Sequence, residues 1–179
     1  MRKKPYLVFF KYALIQEMAE PVVSINRITL GEIAFVLDIQ RDCYGEGYIE
    51  DSHTFTQMIT IYPQGCLGVS VDGSLAGYVF FHPYRENVVK PLDFSLDLDG
   101  TEDCMYLHDM AIHHRYRGMG LTRMLMERVD HETRRRGFEV QCLAAVQDSR
   151  DFWRKYEFRT VRKIERYGEG PAYYMKRYL

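Results

Sequence analysis

The eight residues HHRYRGMG (113–120) constrain this chain more than any other stretch. An apolar run, CMYLHDMAI (104–112), enters them, and an amphipathic run, LTRMLMERVDHETRRRG (121–137), leaves them. A chain that leaves a strand and begins a helix presents free backbone N–H groups and a partial positive charge. Gly118 and Gly120 bring no side chain to cover those amides, while Arg115 and Arg117 add fixed charge and forked donors. A phosphate group can reach bare backbone at such a place. The same letters also fit an ordinary glycine-containing β–α turn. They are not a P-loop, because no G-K-[ST] follows, and they are not G-x-G-x-x-G.

The 179 residues suffice for one domain with a sizeable core, or at most two very small ones. Apolar residues make up 46%, which argues for a packed chain and against disorder. A formal net charge of −1 carries no whole-protein signal for nucleic acid, so no nucleic-acid partner is expected. Cys43, Cys66, Cys104 and Cys142 lie far apart with no C-x-x-C pair. Free thiols in a reducing cytoplasm are therefore expected, rather than a zinc knuckle or a disulfide framework.

The segment MRKKPYLVFFKYALIQEMAEP has the basic start and apolar run of a weak signal peptide. Lys11 interrupts the run, no clear small-x-small site follows, and the segment is too short and charged to span a bilayer. An extra tail or helix over residues 1–20 is the expectation, with Met18 as an alternative start and no membrane association.

From Pro21 the pattern is regular. VVSINRI alternates as a strand. TLGEIAFVLDIQRDCY places Ile33, Val36, Leu37 and Gln40 at helical spacing, with Thr29 and Glu32 as a capping box. EDSHTFTQMITIYPQ is a second short helix ended by Pro63. CLGVSV and SLAGYVFFHPY flank an Asp-Gly turn and form a hairpin. Residues 85–103 are an acidic connection expected to lie in solvent. The apolar run 104–112 suits a central strand. The following helix carries Leu121, Met124, Leu125, Arg128 and Val129 on one stripe, with Gly137 past its end. Arg134 to Arg136 sit in its last turn, where cations suit the dipole. FEVQCLAAV is a strand, SRDFWRKYE a short helix, and FRTVRKIERY and AYYMKRYL two closing strands. The order β-α-α-β-β-β-α-β-α-β-β describes a single mixed α/β domain over residues 21–179.

Arg115, Gly118 and Gly120 together form R-x-x-G-x-G, after a strand ending in Met-Ala-Ile and before an amphipathic helix. This arrangement resembles the acyl-CoA signature of the GNAT N-acetyltransferase superfamily. IYPQGCLGVSVDGSLAGYVFFHPY resembles that family's second and third strands, and FWRKYEF sits where its members carry FYxxxGF. The resemblance runs from about Val22 to Leu179. It implies a central twisted, mostly antiparallel sheet with a splayed parallel strand pair and flanking helices. It also implies acetyl-CoA as co-substrate, its arm pairing with the backbone of Met110, Ala111 and Ile112 and the Met110 N–H facing the thioester carbonyl. Arg115, Arg117, Gly118, Met119, Gly120, Leu121 and Thr122 would surround the pyrophosphate. Asp148 stands where many members carry an Asn that bonds the arm, and an ionised Asp cannot donate. Trp153 stands in place of the family's tyrosine acid, and Glu157 in place of the glycine of GF.

Amine acetylation needs a base. Histidine is the side chain whose ordinary charge change falls near neutral pH, and His108 lies two residues before Met110. Simple alternation puts Tyr106, His108, Met110 and Ile112 on one face and Asp109 on the other. Tyr156, three residues after Trp153 on roughly the same helix face, is either a stand-in acid or a packing tyrosine. No metal site is expected at His113 and His114, since no carboxylate partner stands out at ligand spacing. The acceptor groove is expected at CYGEGYIED (43–51) and the closing hairpin near Tyr167 to Tyr174. There Glu46, Glu50, Asp51 and the acidic loop favour a cationic amine, and Tyr44 and Tyr48 line or pack.

The leading function is acetyl transfer to a primary amine of a small molecule in the cytoplasm. The alternatives are a protein N-terminal or lysine acetyltransferase and a non-catalytic acyl-CoA-binding module, with a nucleotide-phosphate binder weakest. A homodimer stays open.

Overall fold

The computed structural model describes residues 20–92 and 94–179, so the expected tail at 1–20 lies almost wholly outside the described residues. The described residues form the element order expected from the sequence. Strand β1 (Val23–Arg27) leads through a short 3₁₀ turn to helix α1 (Ile33–Cys43), then helix α2 (Ser52–Ile61). Strands β2 (Cys66–Val71), β3 (Ser74–Tyr84) and β4 (Cys104–Ile112) follow. Helix α3 (Leu121–Arg135), strand β5 (Val140–Ala145), helix α4 (Arg150–Arg154) and strands β6 (Arg159–Tyr167) and β7 (Gly170–Tyr178) complete the chain.

Local chemistry accounts for the element ends. The backbone N–H of Thr29 donates to Glu32 Oε2 at 2.9 Å, closing the capping box. Asp51 caps α2 by accepting the Thr54 N–H at 3.1 Å. Asp72 and Gly73 both take positive φ, as the two-residue turn between β2 and β3 demands. Gly137, at φ 76°, closes α3.

The strands form one sheet in the order β1-β2-β3-β4-β5-β7-β6. All neighbours are antiparallel except β4 and β5. That parallel pair is registered over only Met105–Leu107 against Gln141–Leu143. Strand β4 runs on to Ile112 without a partner on the β5 side, so the sheet opens there. The main core gathers side chains from α1, α2, α3 and β1 to β5, among them Val36, Phe55, Met58, Phe80, Phe81, Leu125 and Val129. A smaller cluster holds Cys104, Tyr106, Val140, Cys142 and Tyr174.

Arg134 to Arg136 stay exposed at the end of α3 as expected, with Arg135 Nε 2.6 Å and Arg136 Nε 3.6 Å from the Glu132 carboxylate, which also accepts the Tyr62 hydroxyl at 2.7 Å. Three expectations need correction. Arg128 is exposed, and Met126 takes its place on the buried stripe of α3. The 85–103 connection is only partly solvated, because Lys90, Phe94 and Leu96 are buried in it. The Gln57 side chain holds it from α2, accepting from the Leu96 N–H at 2.9 Å and donating to the Phe94 carbonyl at 2.5 Å. The simple alternation of β4 also fails. The register against β3 shifts between Phe80 and Phe81, so His108 is left as the extra residue of a bulge. Tyr106 therefore packs in the smaller cluster, while Met110 and Ile112 pack against the main core.

Among the described residues no helix is long and apolar enough to cross a membrane.

Candidate active site

A cavity of about 720 Å³ occupies the opening between β4 and β5. This is the size of an ordinary small-molecule site. Met110, Ala111 and Ile112 line it from β4, and Leu143, Ala144, Val146, Gln147 and Ser149 from β5 and the turn after it. Arg117, Gly118, Gly120, Leu121 and Thr122 bring the start of α3 to one end. Gly118 and Gly120 hold φ of 84° and 76°, in the left-handed region that favours glycine. A Cβ at either would meet nothing within 4 Å, so the backbone there is open to an approaching group. Arg117 is set by its own bonds: Nε donates to the Ile112 carbonyl at 3.1 Å and a terminal nitrogen to Cys43 Sγ at 3.4 Å.

Of the residues expected to hold the co-substrate, Arg115, Met119 and Asp148 do not line this cavity, and the others do. Gln147 and Ser149 line it on either side of Asp148. Trp153 and Tyr156 are both present, with ring centres 6.3 Å apart, and Phe152 joins them. Burial pushes the Tyr156 phenol above its usual range, against weaker pulls from Arg123 and Thr122. It therefore holds its proton at neutral pH.

The other end of the cavity is lined by Tyr44, Tyr48, Glu50, Leu92, His108, Asp109 and Tyr167. Glu46, Asp51 and the acidic residues of the 94–103 loop do not line it. His108 Nε2 lies 2.6 Å from Glu50 Oε2, and both side chains are almost fully buried, at 1% and 4% exposure. An ionised carboxylate only accepts, so the imidazole presents N–H to it. The other ring nitrogen, Nδ1, is buried with no protein partner. Asp109 accepts the Tyr44 hydroxyl at 2.6 Å on one oxygen and the Tyr78 hydroxyl at 2.7 Å on the other. Burial raises the Asp109 carboxyl above the usual range, and the tyrosine hydroxyls partly offset this. In the sequence Glu50 counts only among the acidic groups of the acceptor groove, and Asp109 only as a residue on the opposite face of its strand. Their partners lie 58 and 65 residues away in the chain, and no local pattern announces them.

Behind His108 lie Phe94 and His82, with ring centres 4.9 and 6.1 Å from its own. His82 Nδ1 donates to the Pro83 carbonyl at 2.7 Å, and burial first, then the charges of His108 and Lys90, pushes its pKa well below the ordinary histidine value. The Lys90 ammonium stands 3.1 Å from the centre of the Phe94 ring and 4.4 Å from that of Tyr84. Desolvation pulls its pKa down to about 7, against an opposing pull from Glu50. An unfolded chain keeps a lysine proton to about pH 10. Above pH 7 the unfolded chain thus binds the extra proton, and this residue's contribution to stability rises with pH until about pH 10. Lys90→Met should remove that rise. Urea unfolding at about pH 7 and about pH 9 should show the stability difference, wild type minus variant, growing with pH. An equal difference at both pH values would show that the ammonium is not desolvated.

The split parallel pair, the glycine-led helix and the cavity between them define a protein of the acyl-transferring class. The chain belongs to the acetyltransferase (GNAT) family, whose model matches residues 33–158. Solved structures share the fold. Ard1 from Thermoplasma volcanium superposes with a TM-score of 0.73 at 18% identity, over 88% of this chain and 97% of that one. The ribosomal-protein-S18-alanine N-acetyltransferase from Escherichia coli gives 0.65 at 16% identity, over 88% and 94%. The paia N-acetyltransferase from Thermoplasma acidophilum, solved in complex with coenzyme A, gives 0.63 at 14%, over 88% and 99%. No curated protein matches the chain in sequence.

Proposed function

We propose that the protein transfers the acetyl group of acetyl-CoA to a primary amine of a small, cationic molecule. The relative from T. acidophilum was solved with coenzyme A, and the cavity here fits the same kind of ligand. The open amides at Gly118 to Thr122 and the Arg117 guanidinium would take the diphosphate. The arm would lie in the gap beside Met110 to Ile112, placing the thioester carbonyl at the Met110 N–H. Glu50 holds the His108 ring through Nε2, and the buried, unpartnered Nδ1 would receive the proton of the amine through a water. Tyr156 would face the leaving thiolate. That step asks little of an acid, because a thiol of pKa about 8.5 leaves readily.

The single observation that favours a small acceptor is the contact of two loops beside the acceptor end, next to the cavity-lining Tyr48 and Tyr167. The loop at Gly45–Tyr48 meets the turn between β6 and β7. A Cβ on Gly47 would stand 1.7 Å from the Glu169 side chain, and one on Gly168 would stand 2.4 Å from the Gly47 carbonyl. A Cβ on Gly170 would stand 2.9 Å from the Tyr48 hydroxyl, and one on Gly45 would lie 3.3 Å from the Gln147 amide. Gly168, at φ 62° and against the Gly47 backbone, is the position that needs glycine, and the side-chain neighbours of the others can shift. This contact beside the cavity favours a slender amine over an internal lysine on a folded protein. Glu50 and Asp109 at this end supply acidic groups for a cation.

A thiol-release screen tests the reading, with polyamines, amino acids, aminoglycosides and peptides as acceptors. Turnover should be highest with small polycations and at least about tenfold lower in kcat/KM with peptides, a difference of about 1.4 kcal/mol. A peptide or folded protein as the best acceptor would overturn the small-molecule reading. Acetyl-CoA binding with no thiol release for any acceptor would make the protein an acyl-CoA-binding module.

A further inference from the structure

We propose that Asp42, His113 and His114 form a binding site for a divalent transition-metal ion, with zinc the natural occupant. The sequence offers two adjacent histidines, and no carboxylate stands out beside them at ligand spacing. The fold brings one from 72 residues away, at the end of α1. One donor atom from each residue lies within 4.8 Å of the others.

The three side chains are already arranged. Asp42 accepts the His114 backbone N–H on one oxygen at 2.8 Å, and His114 Nδ1 lies 2.5 Å from the other. His113 stacks on His114 with ring centres 4.4 Å apart. The Arg115 N–H donates to His113 Nδ1 at 3.3 Å, a long bond that ligation would give up, either by the ion taking Nδ1 or by the ring proton moving there to free Nε2.

Two imidazoles and a carboxylate suit zinc, copper or nickel and do not suit calcium or magnesium, which take oxygen ligands. Zinc binds histidine nitrogen and carboxylate oxygen at about 2.0–2.2 Å, so its tetrahedral ligands stand about 3.4 Å apart. The present spacing closes to that by rotation of side chains that are largely at the surface. The ion replaces the proton between His114 and Asp42, and water completes the coordination. It then staples the end of α1 to the turn before α3. The staple stands one residue from Cys43, whose sulfur receives the Arg117 guanidinium.

Titration calorimetry of the full chain with zinc chloride, without acetyl-CoA, tests the site. One ion should bind per chain with micromolar affinity, and the melting temperature should rise with zinc. The double variant His113→Ala/His114→Ala should bind about tenfold more weakly or worse, and Asp42→Asn should lose affinity as well. His53→Ala, at an exposed histidine elsewhere, should bind as the wild type does. Cobalt(II) in the site should show a visible spectrum without a thiolate charge-transfer band, unchanged in Cys43→Ser. Absence of binding to the wild type would overturn the proposal. So would equal binding by the double variant, or a thiolate band that vanishes in Cys43→Ser.

Discussion

Gly120→Asp is expected to abolish useful acetyl-CoA binding while Gly120→Asn weakens it only modestly. The two side chains have nearly the same size, and both tolerate the left-handed backbone that Gly120 adopts at φ 76°. Neither meets a neighbouring atom, because a Cβ there faces open space. Fold and stability should therefore be alike in the two variants, and the difference between them isolates one negative charge beside the site proposed for a diphosphate. At a few ångströms, with the screening of a partly open cavity, that charge is worth about 2–3 kcal/mol, or about 30- to 150-fold in affinity. Calorimetric titration of both variants with acetyl-CoA, at low and high salt, reads the effect. The gap should narrow as salt rises. Equal affinities for the two variants would remove the start of α3 as the diphosphate site.

The second large effect is expected at His108. His108→Gln should lower kcat by about 10²- to 10⁴-fold, the usual contribution of a general base, with acetyl-CoA affinity within about threefold of wild type. Glutamine is chosen because its amide can still donate to Glu50. Alanine would remove one partner of a buried ion pair, at a cost of about 3–5 kcal/mol. Glu50→Gln separates positioning from catalysis: it keeps the shape, removes the charge that orients the ring, and should lower kcat by about tenfold. A His108→Gln enzyme with wild-type kcat would leave the histidine as a core residue bonded to Glu50.

Much of this molecule was legible in its letters. The capping box at Thr29 and Glu32, the Asp72-Gly73 turn, the proline after α2 and Gly137 past α3 each act within a few residues. Their effects survive whatever the rest of the chain does. The bare turn at Gly118 and Gly120 is legible for the same reason. It needs only a strand before it, a helix after it and residues without side chains between. The faces of β4 were misread because alternation assumes an unbroken ladder, and the bulge at His108 depends on how β3 pairs with it. The 85–103 loop was misread because its acidic letters hide Lys90, Phe94 and Leu96, which become buried once Gln57 ties the loop to α2.

The sequence by itself determined the order of elements and the exposed amides ahead of α3, because both arise from interactions between near neighbours in the chain. Tertiary structure alone decided that Glu50 meets His108, that Asp109 takes two tyrosine hydroxyls, that Asp42 joins two histidines, and that the loop at 45–48 meets the turn at 168–170. Those pairs lie far apart in the chain, or on elements whose approach is set by packing, and no spacing rule connects them.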